Sequence, residues 1–397
     1  MKKVDAVVIG AGIQGAGIAQ ALAAAGYSVT VLEQTAVAAA TSQASSKLIH
    51  GGLRYLETAQ FSLVRKSLKE RNRLVRNAPE LVKIVPFYIP VYRHSKRKAW
   101  QIFIGLSLYA LLGGLGRQTR FKRLSKASYK DLDISNDGLR AVYQYQDAQT
   151  DDRQLTQAVM ASAIELGAEL LCPAQFISAV STDAEVSLKY RLKDKECSIT
   201  SQVLINAAGP WVNHVLDNIT PPMSGLNIEL IQGIHLVLDV PAFNGIYYVE
   251  APQDGRAVFV MPWKGKCLIG TTETLHQGRP KETQPAKSEI DYLLNVFAHY
   301  FPDKPAKVLE LMSGLRVLPA NKTGEHRSAF HRPRDTILHR TAGNVLSVYG
   351  GKLTAYRNMA EEVVRSVAED LPPAVAKADT RTIKLHKVDD SFFSHGV

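Results

Sequence analysis

An α/β fold in two interleaved parts is predicted by three features of this 397-residue chain. The first 33 residues read strand, glycine turn, helix, strand and acid. Leu226 to Thr272 reads as short strands and turns without helical period, as an antiparallel sheet would. A strand–glycine–helix unit then returns from Val345, which makes the antiparallel part an insertion into the first.

Val4–Ile9 is a short apolar run of buried-strand type, followed by Gly10, Gly12 and Gly15 as G-x-G-x-x-G. Ile13–Ala25 reads as an Ala-rich helix ending at Gly26, and Val29–Leu32 as a second strand closed by Glu33. Each part serves dinucleotide binding. The first glycine turns tightly, the second admits a pyrophosphate, and the third lets helix and strand approach. The helix N-terminus offers N–H groups and a positive dipole end. Glu33 can accept from both ribose hydroxyls, which disfavours NADP. The fingerprint alone does not separate NAD from FAD, and no second one follows.

Thr41–Glu57 is rich in small polar residues, and Gln60–Asn77 reads as an amphipathic basic helix. Pro79–Pro90 is strand-like, and Asp151–Gly167 is a helix whose acidic first turn suits its dipole. Strands follow at Glu169–Leu171, Val186–Leu192 and Val203–Ala207. Ser288–Phe301 is a helix. Val345–Tyr349 is the last strand, and Gly350-Gly351-Lys352 opens a helix to about Leu371. Pro372-Pro373 stops it, and residues 377–397 read as a loosely ordered tail.

Charge is unevenly placed. Between Ser62 and Lys130 stand seventeen Lys and Arg against two Glu, more than the whole net charge of +11. Within this region Ala99–Gly116 carries no charge. It falls short of the roughly 20 residues needed to span a bilayer and holds Gln101 and three late glycines. Two readings stand: a helix lying in an anionic membrane surface, or a core helix with solvated basic neighbours. No nucleic-acid motif accompanies the basic stretch. Cys172, Cys197 and Cys267 are too scattered for a disulfide framework or a zinc site, so a reducing cytosolic setting and no metal are expected. Asp5 interrupts the apolar run after Met1-Lys2-Lys3, which argues against export.

Candidates for substrate contact are mostly cationic: Arg54 in a glycine-rich turn, Arg316 after Ser313-Gly314, Arg334 before Asp335, and Lys352 after two glycines. Guanidinium forks match phosphate or carboxylate oxygens. His235 follows Gly233 in an apolar strand.

At these residues the chain resembles FAD-dependent, aerobic-type glycerol-3-phosphate dehydrogenases. The likeness runs from residue 1 to about 371 through VIGAGIQGAGIA, ATSQASSKLIHGGLRYLE, TDDRQL, INAAGPWV, MPW with LIGTTE, SGLRVL and LSVYGGKLTAYR. It implies a glutathione-reductase-type FAD-binding Rossmann domain interleaved with an antiparallel substrate domain like that of D-amino-acid oxidase. The first would take residues 1–78, 148–218 and 325–376, and the second 79–147 and 219–324. It implies non-covalent FAD held by Gly10, Gly12, Gly15 and Glu33 at the ADP half. Thr41, Ser42, Ser46 and Lys47 would line the pyrophosphate and flavin; Ala208, Gly209, Gly351, Lys352, Leu353 and Thr354 would contact the flavin. Arg54, Tyr55, Arg334 and Lys352 would bind glycerol 3-phosphate, with His235 as base and Arg316 polarising the C2 oxygen. A membrane quinone would take the electrons at the inner face of the cytoplasmic membrane, and a homodimer is compatible with the pattern.

The chain departs from the family pattern in three places. The usual C-terminal helical domain is not expected, Glu273 stands where Asp is common, and Gln232 stands where Lys is common. The last change is expected to retune the mouth of the site. That leaves room for another 2-hydroxy acid or amine as substrate, or for a catalytically silent flavin-binding partner.

Overall fold

The protein is described by a computed structural model covering residues 2–320, 336–342 and 344–393. Among these residues two sheets form, of nine and ten strands. In the first, Lys2–Ile9 lies parallel to Lys195–Asn206 on one side and to Val29–Leu32 on the other, with Glu169–Leu171 beyond. Val345–Tyr349 also runs parallel to the end of Lys195–Asn206, so the late strand does return to the first sheet. Successive strand residues point to opposite faces. Ala6 and Val8 therefore join the core beneath the helices, and Val7 and Ile9 join a second cluster with Leu188 and Ile199.

The helix Ile13–Ala24 is buried at every residue but Gln14, which explains its Ala and Gly content. It meets the helices Asp152–Glu165 and Tyr356–Val367 so closely that a Cβ on Gly17 would stand 2.6 Å from the Tyr356 ring. Leu353–Ala355 forms a separate short turn, so the last α-helix starts later than its apolar pattern suggests.

The second sheet is organised around Ile228–Pro241, which pairs with Lys266–Gly270, Thr274–His276 and Val308–Pro319, all antiparallel. The strands Ala257–Trp263, Ile246–Glu250, Val82–Tyr92 and Leu139–Thr150 follow in order. Leu139–Thr150 is not apparent from the sequence because Gln144, Gln146, Asp147 and Gln149 blur its alternation. Asp147 is nevertheless 1% exposed. Its Oδ1 accepts from Arg71 Nη1 at 2.9 Å, and its Oδ2 accepts from the Tyr109 hydroxyl at 2.6 Å. Arg71, one of the basic residues of the charged stretch, is thus fully buried rather than a surface cation.

The helix Ala99–Leu112 combines the two readings of the uncharged segment. It buries Ile102, Leu106, Tyr109 and Ala110, while Trp100, Phe103, Ile104 and Leu111 are 63, 52, 55 and 59% exposed. Among the described residues no helix is long and apolar enough to cross a membrane.

The tail, expected to be loosely ordered, is docked as far as residue 393. Leu385 is buried in the main core, its N–H donates to Asn77 O at 2.8 Å, and Lys377 N–H donates to Ala24 O at 2.7 Å. Polar contacts of Arg357, which bridges Glu70 and Thr380, hold it there where apolar periodicity gives no signal.

Replacing Arg71 by Met should lower stability by about 3–5 kcal/mol, since the Asp147 carboxylate would be left buried without its counterion. The measurement is a shift of the urea midpoint at unchanged slope.

Candidate active site

The cavity lies where the two sheets meet and has a volume of about 1130 Å³. The first sheet and its turns bring Gly10, Gly12, Gln14, Glu33, Ala208, Gly209, Gly351, Lys352, Leu353 and Thr354 to its wall. The 41–55 segment brings Thr41, Ser42, Ser46, Lys47, Arg54 and Tyr55, and the second sheet brings Gly233, Thr271, Glu273 and Arg316. Gly15 is the one predicted cofactor residue off the wall. A Cβ there would stand 1.8 Å from Gly10 O, so it serves the close approach of helix and strand. Arg334 lies outside the described residues.

The nucleotide end is pre-arranged by its own hydrogen bonds. Glu33 Oε2 accepts from Ala11 N–H at 2.8 Å and Oε1 from Thr35 N–H at 2.9 Å, which orients the carboxylate and leaves lone pairs for further donors. Ser42 Oγ accepts from Ile13 N–H at 2.9 Å, so it ties the 41–47 turn to the helix start. Thr41 Oγ1 donates to Leu315 O at 2.8 Å, tying the same turn to the second sheet.

Lys47 lines the cavity, but its ammonium is already engaged. It is 2% exposed, donates to Asp152 Oδ1 at 2.6 Å and to Gln43 O, and lies 5.0 Å from the Trp263 ring centroid. Burial pushes the Asp152 carboxyl up, against the pull of Lys47. The second acid of TDDRQL is therefore an inward counterion, whereas Asp151 caps the helix by accepting from Arg153 and Gln154 N–H. A helical acid doublet signals a cap, and nothing local marks its second member as buried.

Several polar and cationic groups line the same cavity. Lys352 Nζ lies 4.3 Å over the Tyr55 ring, and His50 N–H donates to Thr354 Oγ1 at 3.2 Å. Arg316 donates from Nη1 to Glu273 Oε1 and from Nη2 to Thr271 Oγ1, both at 3.1 Å. His235 is 1% exposed and does not form the wall. Its Nε2 lies 3.0 Å from Ser46 Oγ, which does. Burial, with Arg316 and Lys47 nearby, lowers its pKa to about 3, so the imidazole is neutral at physiological pH. Gln232, expected to retune the mouth, instead turns its amide to Glu289 Oε2 at 2.8 Å and to Gln284 O, and is absent from the wall.

The cavity suits a large polar dinucleotide. Gln14 Oε1 and Ser313 Oγ are buried at its wall without a hydrogen-bond partner among the described residues. Buried polar atoms of this kind ask for a ligand or water. Gln14 fills a variable position of the glycine fingerprint and Ser313 precedes Gly314, and neither residue type at such a position marks a ligand contact.

His235 also sets a pH dependence. An imidazole depressed in the folded state takes up a proton first in the unfolded chain. Its contribution to stability is therefore present above about pH 6.5 and lost as the pH falls toward about 3. Thermal melts between pH 7 and pH 4 should show a smaller loss in His235→Gln than in the wild type.

Comparison with known proteins agrees with this geometry. The pattern of FAD-dependent oxidoreductases (DAO) matches residues 5–357. The aerobic glycerol-3-phosphate dehydrogenase of Escherichia coli K12 is 35% identical over 374 residues, covering 92% of this chain and 74% of that protein. The D-erythritol 1-phosphate dehydrogenase of Brucella abortus is 34% identical, covering 93% and 74%. The FAD-complexed glycerol-3-phosphate dehydrogenase of Bacillus halodurans superposes with a TM-score of 0.73 at 27% identity, covering 97% and 68%. With its fingerprint, its two-sheet architecture and its cavity, the chain belongs to the FAD-dependent oxidoreductase family.

Proposed function

We propose that the protein oxidises sn-glycerol 3-phosphate to dihydroxyacetone phosphate and passes the electrons to a membrane quinone. The observation that carries this reading is that Arg54, Tyr55, Arg316 and Lys352 line the same cavity as Ser46, whose Oγ lies 3.0 Å from His235 Nε2. Relatives named for the same substrate support it. FAD bound in the cavity supplies the two-electron, hydride-accepting centre.

Arg54 and Lys352 meet the phosphate, for which guanidinium and ammonium donors are the natural partners. Arg316 donates to the C2 oxygen, which orients and polarises it while the hydroxyl proton leaves toward Ser46. His235 takes the hydroxyl proton through Ser46 Oγ, because the imidazole itself is not on the wall. Neutral at working pH, it can take up that proton; as a weak base with a pKa of about 3 it does so only with the negative charge of bound substrate nearby to raise its basicity.

The exposed face of Ala99–Leu112 supports the membrane part. Trp100, Phe103, Ile104 and Leu111 form an apolar face bordered by the exposed Lys96, Lys98, Arg117 and Arg120. Such a helix partitions into an interface by apolar burial and attraction to anionic lipid.

Anaerobic titration of the FAD-loaded protein with sn-glycerol 3-phosphate should bleach the flavin absorbance. Bleaching only by D-erythritol 1-phosphate, a 2-hydroxy acid or an amine would move the activity to that substrate, and hydrogen peroxide in air would point to an oxidase. His235→Ala should slow single-turnover reduction about a hundredfold or more at unchanged FAD content, with Ser46→Ala in between. Sedimentation with phosphatidylglycerol vesicles at low salt should retain the wild type and release Trp100→Glu/Phe103→Glu. Equal retention of the two would count against the helix as anchor.

A further inference from the structure

The cavity wall at Arg316 carries a cation that is already neutralised. Glu273 Oε1 accepts from Arg316 Nη1 at 3.1 Å while Thr271 Oγ1 accepts from Nη2. The Glu273 side chain is 9% exposed, so this is not a solvated surface pair. Gly233 makes room for it, since a Cβ there would stand 2.9 Å from Arg316 Nη2.

The turn that presents Glu273 is fixed on both flanks. Thr272 Oγ1 donates to Glu289 Oε1 at 2.6 Å and accepts from Ile234 N–H at 3.0 Å, and Thr274 Oγ1 donates to the same carboxylate oxygen at 2.8 Å. Glu273 is thereby held against Arg316 by a strand and a helix behind it.

Such a wall discriminates by charge. A substrate hydroxyl can accept from the guanidinium and donate to the carboxylate, and both remain satisfied. A substrate carboxylate meets a guanidinium whose charge is cancelled and a second carboxylate within a few ångströms. Two like charges about 5 Å apart at an effective dielectric constant of about 20 repel by roughly two hundredfold in affinity, and the residual pull of Arg316 offsets part of that, which leaves about tenfold or more.

We propose that Glu273 is a specificity-determining residue. It selects an uncharged, hydroxyl-bearing C1 next to the C2 oxygen that Arg316 holds and rejects a carboxylate there, so the site takes polyol phosphates in preference to 2-hydroxy or 2-amino acids. This rests on the reading of the cavity as the substrate site for a phosphorylated polyol.

The test compares two phosphorylated ligands that present different groups at the other end. Dihydroxyacetone phosphate presents a hydroxymethyl group and 3-phosphoglycerate a carboxylate. Equilibrium binding of each to the oxidised, FAD-loaded protein is followed by perturbation of the flavin spectrum, which needs no turnover. Wild type should bind dihydroxyacetone phosphate at least about tenfold more tightly than 3-phosphoglycerate. Glu273→Gln should narrow that ratio by about tenfold or more, chiefly by tightening 3-phosphoglycerate. Glu273→Asp, which withdraws the carboxylate by one methylene, should move it the same way by less, and decides the matter should Glu273→Gln not retain FAD. A purely structural role would weaken both ligands together and leave the ratio alone. An unchanged ratio overturns the proposal, as does a wild type that binds neither ligand. A wild type that binds both ligands with the expected ratio, yet is not reduced by sn-glycerol 3-phosphate, would overturn only the proposed reaction.

Discussion

Lys47 carries a full charge into a position only 2% exposed, and that charge is tolerable because Asp152, itself 0% exposed, stands 2.6 Å away. The pair fixes the 41–47 turn, on which the rest of the site depends. Ser42 reaches back to the first helix, Thr41 reaches across to Leu315 in the second sheet, and Ser46 holds His235. The Trp263 ring over the ammonium adds a contact from the second sheet. The two sheets are therefore joined at the cavity by a short polar turn as well as by apolar packing.

The same electrostatic economy shapes the chemistry. Cations at the cavity wall meet different neighbours. Lys47 is bound to Asp152 and Arg316 to Glu273, whereas Lys352 lies over the Tyr55 ring. His235, close enough to Arg316 and Lys47 to feel both, stays neutral. A neutral imidazole behind a hydroxyl on the wall is compatible with taking a proton from an alcohol; an imidazolium there would not be.

One phenol connects the exposed helix to the substrate turn. Tyr109, on the buried side of Ala99–Leu112, accepts from Gly51 N–H at 2.8 Å while donating to Asp147. A Cβ on Gly51 would stand 2.5 Å from that hydroxyl oxygen, so the glycine before Gly52-Leu53-Arg54-Tyr55 is required by this contact. The helix that presents Trp100 and Phe103 to solvent is thus hydrogen-bonded to the segment that presents Arg54 and Tyr55 to the cavity.

The nucleotide half was legible from local pattern alone. Gly10, Gly12, Gly15 and Glu33 announce themselves because the chemistry of a tight turn, a helix N-terminus and an acid is contained within one βαβ unit. The interleaving was legible for the same reason, since the unit at Val345 repeats a local signature. Other features are pairings between residues distant in sequence, and no period or motif encodes them. Asp147 in a polar-looking strand becomes a core residue only once Arg71 and Tyr109 meet it. The tail docks through Arg357, and His235 sits behind Ser46 rather than on the wall. The sequence by itself determined that a dinucleotide is held and which residue types surround it. Only the tertiary structure decided which charges are neutralised and which groups face the cavity, because a buried charge takes its state from the neighbour that folding brings to it.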